Sequence, residues 1–215
     1  MAAPMTETPA GDRPAADERE CRALIDGPKL EVRSGESNGE TVTRGYAAVF
    51  NSDTSIGDYW IERFAPGAFA KSLRENDLVA LHSHERSRVV GRTSAGTLTV
   101  REDEKGLAFE NTLPDTTDGR DLAVLIGRGD IAGMSFAFRA TKEQWDETTD
   151  PPTRTIMEAR IYEITYTAFP AYPSTEVGLR SLEHVRAERR DHNRAGARSR
   201  IAAARARLIQ AERQI

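Results

Sequence analysis

The chain has 215 residues, 34 acidic against 30 basic side chains, a net charge of −4, and 38% hydrophobic and 30% charged residues. That length holds one domain of roughly 150 residues plus tails, and the acidic balance argues against general affinity for nucleic acid. No run of about 18 apolar residues occurs, so no membrane-spanning helix is expected. The single cysteine, Cys21, excludes an internal disulfide framework or a Cys-rich zinc site and fits a reducing, cytoplasmic-type compartment.

Residues 1–28 are rich in Ala, Pro, Thr, Asp and Glu and lack apolar periodicity, so a disordered leader is expected, with Cys21 as an exposed bystander. The start has neither the basic n-region nor the apolar h-region of a secretory signal. Residues 29–180 carry strand-like runs at Leu30–Val32, Thr41–Phe50, Leu78–His82, Thr97–Val100, Leu107–Thr112, Met134–Arg139, Thr155–Ile161 and Ile164–Phe169. Two helices are expected among them. One starts near Pro66, a residue suited to the first helical position, and ends near Arg74. The other runs from about Asp118 to Arg128, with Gly129 as its stop. Phe169-Pro170-Ala171-Tyr172-Pro173 then ends the last core strand in a rigid turn. Many strands with few helices predict a mainly β fold with flanking helices (α+β), built as an antiparallel barrel or sandwich. Residues 181–215 form an Arg/Ala-rich tail. From Arg180 to Arg213 ten arginines face four acids (Glu183, Glu188, Asp191, Glu212), and the stretch after Ile201 has strong helix propensity. Such a tail is either a solvated, partly helical segment or an interaction segment for an acidic surface or assembly partner. Its arginines lack the interleaved aromatics of a single-strand nucleic-acid platform.

Chemistry concentrates in three places. In Gly133-Met134-Ser135-Phe136-Ala137-Phe138, read as a strand, the apolar residues share one face, and Ser135 stands on the other between small neighbours that leave room for a substrate. Upstream lie His82 and His84, and downstream Glu163 alternates with Tyr162, Ile164 and Tyr166, which puts it on the opposite side of the strand from them. Serine, histidine and acid are the parts of a nucleophilic hydrolase. Read on the residues alone, His82 and His84 also fit two ligands of a metal site, the third being His184, His192 or a carboxylate. This reading ranks lower because both of those histidines lie in the polar tail. Ser135 lacks the Gly-x-Ser-x-Gly elbow, since position 137 is alanine.

Taken in order, five segments resemble the prohead (maturation) proteases of tailed bacteriophages, a family similar in fold and mechanism to the herpesvirus capsid-assembly protease. They are Gly45-Tyr46-Ala47-Ala48-Val49-Phe50-Asn51; Glu62-Arg63-Phe64-Ala65-Pro66-Gly67-Ala68-Phe69; His84 with Gly91; Gly133-Met134-Ser135-Phe136; and Tyr162-Glu163-Ile164-Thr165-Tyr166-Thr167-Ala168-Phe169-Pro170-Ala171. Ser83 stands where the family usually has Asn, and Tyr172 where it has Asn in Pro-Ala-Asn-Pro. The resemblance implies an antiparallel β-barrel of herpesvirus-protease type. It also implies a serine endopeptidase that cleaves the major capsid protein or scaffold protein, and itself, inside the assembling prohead in the host cytoplasm. His84, Ser135 and Glu163 would be catalytic, with Glu163 preferred over Asp130 and Asp121 as the third member; no cofactor or metal is implied. The herpesvirus relatives dimerise, which leaves a homodimer open. The alternative is a catalytically silent protease fold that works in assembly through its Arg-rich tail.

Overall fold

A computed structural model of the chain describes residues 19–24, 28, 30–34, 40–168 and, in the tail, 182, 183, 186, 187, 190, 194 and 195. The chain divides into two units, residues 1–174 and 175–215. The described tail residues are helical; the expectations for Ile201 onward and for Phe169–Pro173 lie outside the described residues.

The first unit is mostly β, with eleven strands and two helices among the described residues. Four strands, β2 (Glu31–Ser34), β3 (Thr41–Val49), β8 (Leu98–Glu102) and β9 (Gly106–Leu113), form one sheet in the order β2-β3-β9-β8. The other contains β1 (Glu20–Leu24), β4 (Thr54–Ile56), β5 (Trp60–Phe64), β6 (Val79–His82), β7 (Val89–Arg92), β10 (Gly133–Asp146) and β11 (Thr153–Thr167). Its main path is β1-β10-β11-β5-β4, and β6 joins β11 to β7. Most pairings are antiparallel, but β5 and β6 both run parallel to β11.

Several boundaries differ from the sequence expectation, each for a visible reason. Glu20–Leu24, placed in the expected disordered leader, pairs antiparallel with β10. The first helix, α1, spans only Ala70–Glu75. Gly67 sits in the left-handed region (φ +88°), so Pro66 opens a turn rather than a helix. The second helix, α2 (Thr117–Arg128), matches closely, with the Thr116 hydroxyl capping the Gly119 amide and Gly129 left-handed at φ +85°.

The two runs expected at 155–161 and 164–169 are a single strand, β11. Its ladder with β10 pairs Glu163 with Ala137 but Ile161 with Phe138, leaving Tyr162 as an extra residue. The bulge switches parity: Ile164 and Tyr166 face the core on one side of it, Ala159 and Ile161 on the other. Period-2 reasoning sees this as a break between strands.

Met134, Phe136 and Phe138 pack inward as expected, and the rings of Phe136 and Phe138 meet Phe64 edge-on at 5.4 and 5.1 Å. Burying each such ring stabilises by roughly 1.5–3 kcal/mol. Opposite them, Tyr166 is fully buried. Its hydroxyl lies 2.6 Å from Thr43 Oγ1 and accepts from Asn111 Nδ2 at 3.1 Å, while burial pushes the phenol up to about 12.

Gly91, part of the histidine motif, serves this network. A Cβ there would sit 1.9 Å from Asn111 Oδ1. The Gly91→Ala variant is therefore expected to lose about 1–3 kcal/mol, read as a lower urea midpoint, because Asn111 must release Val90 O or the Tyr166 hydroxyl.

Candidate active site

Ser135 lies on β10 directly opposite Thr165 of β11, and Glu163 lies two residues along the same strand. Alternation puts all three on the face away from Phe136. The third strand of this neighbourhood, β6, runs parallel to β11 and ends at His82, opposite Tyr166. The chain then turns back toward β7. Within that turn Ser83 and His84 both adopt left-handed conformations, φ +56° and +60°. Such conformations are costly for non-glycine residues, of order 1–3 kcal/mol each. They are held by the Ser83 amide donating to Tyr166 O at 2.9 Å and the His84 amide donating to Thr165 Oγ1 at 3.2 Å.

The result brings residues 84, 135 and 163 together. His84 Nδ1 is 2.8 Å from Glu163 Oε1, and His84 Nε2 is 2.9 Å from Ser135 Oγ. An ionised carboxylate only accepts, so Nδ1 carries the proton and donates it to Glu163. That leaves the Nε2 lone pair facing the serine hydroxyl. The arrangement can take a proton from the hydroxyl while the carboxylate steadies the resulting imidazolium. Of the other acids weighed as third member, Asp130 pairs with Arg128 at 2.8 Å and Asp121 is exposed on α2.

Two expectations about this face change. Ser135 is not open to a substrate: it is 0% exposed, because β1 lies along the edge of β10 with Ala23 opposite Ser135. The Ser135 hydroxyl also lies 2.9 Å from the Arg22 carbonyl, a second acceptor for its proton. Cys21 is half-buried opposite Ala137 rather than exposed; burial, and then the Glu163 charge, push its thiol up, which makes it a poor nucleophile.

Sequence reasoning missed three contributors: Thr165, which positions the His84 backbone, the β1 backbone, and a buried ionic cluster behind it. The signal for Thr165 was present. Glu163, Thr165 and Thr167 are polar at every second position of a strand whose other residues are Ile164 and Tyr166.

In the cluster, Glu62 accepts from Arg22 Nε and Nη2. Glu20 accepts from Arg154 Nη1 and Nη2 and from Arg22 Nη2, while Arg154 also reaches Glu62 and Glu143. Burial alone would push the Glu62 carboxyl up, but Arg22, then Arg154, hold it below the usual carboxylate range. Burial would likewise drive the charge off Arg154; Glu20, Glu62 and Glu143 more than reverse this and keep it protonated.

His82 takes no part in the triad. It is buried, and among the described residues its Nδ1 has no hydrogen-bond partner. Nor do the described residues contain a cluster of three His, Cys, Asp or Glu side chains arranged to hold a metal; His184 and His192 lie outside the described residues. Burial, then Arg88, lowers the His82 imidazole below its ordinary 6.5. The unfolded chain therefore takes up the proton first, so this contribution is complete above about pH 6.5 and lost as the pH falls through the lower folded value. Urea midpoints at pH 7.5 and 5.5 should show this loss, and His82→Gln should shrink the difference between them.

The chain matches the caudovirus prohead serine protease family over residues 28–188. It is 29% identical over 163 residues to the prohead protease of Enterobacteria phage HK97, covering 73% of this chain and 67% of that protein. Among solved structures, the capsid assembly protease of bacteriophage T4 aligns at 10% identity with a TM-score of 0.44, over 68% of this chain and 99% of that one. A family match that runs from just before β2 past the end of β11, taking in all five motifs and the strands that carry Ser135 and Glu163, makes this chain a member of the caudovirus prohead serine protease family.

Proposed function

We propose that the chain is a serine endopeptidase of prohead maturation, with Ser135 as nucleophile, His84 as general base and then acid, and Glu163 as the group that orients the imidazole. The observation that carries this reading is the chain of two hydrogen bonds, 2.8 and 2.9 Å, running from Glu163 through His84 to Ser135. Oγ attacks the scissile carbonyl carbon as its proton passes to Nε2. The same proton then goes to the leaving amine, and water repeats the sequence on the acyl-enzyme. Such acid–base assistance contributes about 10²–10⁴-fold.

The substrates in this reading are the major capsid protein or scaffold protein, together with the chain itself, and the place of action is the interior of the assembling prohead in the host cell. Family membership and the prohead protease of HK97 support this. The two sheets are read as parts of a barrel of herpesvirus-protease type, and the Arg-rich tail as the segment that recruits the protease to scaffold or inner capsid surface, through its excess of positive charge. The test is co-expression with the capsid protein of the same phage, followed by mass spectrometry of new N-termini. Defined cleavage that needs Ser135 is expected; identical processing by the Ser135→Ala chain rejects the mechanism.

A further inference from the structure

We propose that β1 occupies the seat of the substrate's strand, and that Glu62 and Arg154 select peptides carrying an acidic residue two positions before a basic residue whose carbonyl is attacked. The inference rests on the peptidase reading above and adds its specificity.

A peptide cut by Ser135 must lie beside β10. One edge of β10 near Ser135 is taken by β11, and the other is taken by β1. Added strands bind such edges through main-chain hydrogen bonds and are told apart by side chains at alternate positions. β1 already meets that description. It runs antiparallel to β10 from Glu20 opposite Phe138 to Leu24 opposite Met134. Its Arg22 carbonyl is 2.9 Å from the Ser135 hydroxyl. It also lies before residue 28, where the family match begins.

The two alternate side chains sit in a matched pair of seats. Arg22 is 5% exposed and bonded through two nitrogens to both oxygens of Glu62; Glu20 is 1% exposed and held by two nitrogens of Arg154. Two-point guanidinium–carboxylate contacts give direction as well as attraction. A peptide lacking either charge leaves a buried partner incompletely compensated, which is how such seats discriminate.

The same contact restrains the enzyme. A serine hydroxyl has one proton, and the hydroxyl lies 2.9 Å from both His84 Nε2 and the Arg22 carbonyl. While β1 lies along β10, no other peptide can enter the seat. When a peptide replaces β1, Oγ bonds to the carbonyl carbon of the residue in the Arg22 seat and its proton moves to Nε2. The C–N bond to the following residue breaks, that nitrogen takes the proton from Nε2, and water hydrolyses the ester.

The test uses the full-length chain and quenched fluorescent peptides copying residues 17–27 with Cys21→Ser. Cleavage is expected after Arg22 rather than Arg19, and replacing either Arg22 or Glu20 with alanine should lower kcat/KM at least about 10-fold. A full-length Glu20→Ala/Arg22→Ala chain, its fold checked by circular dichroism, should cleave the parent peptide faster than the wild type. Ser135-dependent cleavage of a capsid protein with indifference to both peptide charges would overturn the inference and leave the protease reading standing. If nothing is cleaved, the protease reading falls instead, and anisotropy of labelled peptide on the Ser135→Ala chain decides the strand's seat. Tighter binding of Glu-x-Arg than of Arg-x-Glu supports it, and equal binding overturns it.

Discussion

Ser135→Ala is expected to lower peptide-bond cleavage by about 10⁶-fold, the scale seen when a triad nucleophile is removed elsewhere. The fold should survive. Alanine fits the fully buried position, and His84 keeps its Glu163 and Thr165 contacts. The sharper expectation concerns non-additivity. Residues that act as one unit fail together, so Ser135→Ala/His84→Ala should be no slower than Ser135→Ala alone. Glu163→Ala should lose less, since the nucleophile and base remain 2.9 Å apart and only the steadying of the imidazole is gone. Independent, multiplying losses from the three positions would mean that they do not share a proton path.

Arg154→Ala is expected to cost about 3–5 kcal/mol of folding stability, the usual cost of breaking a buried ion pair from one side. Arg154 is 1% exposed and bonded to Glu20, Glu62 and Glu143. Without it, Arg22 alone faces Glu20 and Glu62, two carboxylates that are themselves almost wholly buried. For a domain of this size the loss corresponds to a Tm lower by about 10 °C. Arg154→Lys should recover part of it, because a single ammonium restores the charge but not the planar fork that serves three partners. A calorimetric shift within about 0.5 kcal/mol, typical of surface changes, would remove the cluster from the account of stability.

What the sequence disclosed and what it hid follow from the same physics. The inward face of β10 was legible because Met134, Phe136 and Phe138 alternate without interruption. Glu163 was placed on the right face for the same reason: the alternation around it is intact from residue 163 to residue 167. One position earlier it fails, since the Tyr162 bulge reverses the pattern, and β11 reads as two strands. β5 escaped because its alternate buried positions are Trp60, Glu62 and Phe64. A glutamate at a core position looks like a surface residue until its partners are known, and those partners, Arg22 and Arg154, are 40 and 92 residues away. β1 escaped for the same reason, its buried positions being Glu20 and Arg22. The pairing of Ser135 with His84 spans 51 residues; family motifs pointed to it, and periodicity could not. The left-handed backbone at Ser83 and His84 leaves no trace in residue type, as neither position is glycine.

Ser135 and Glu163 are carried by the two arms of one hairpin, β10 and β11, so a single ladder sets their spacing. The imidazole alone arrives from elsewhere, on a bend of the chain clipped to that hairpin by two amide contacts. Bringing the imidazole to Ser135 therefore depends on docking one short bend, and a change that loosens it would separate the two while leaving the remaining architecture upright.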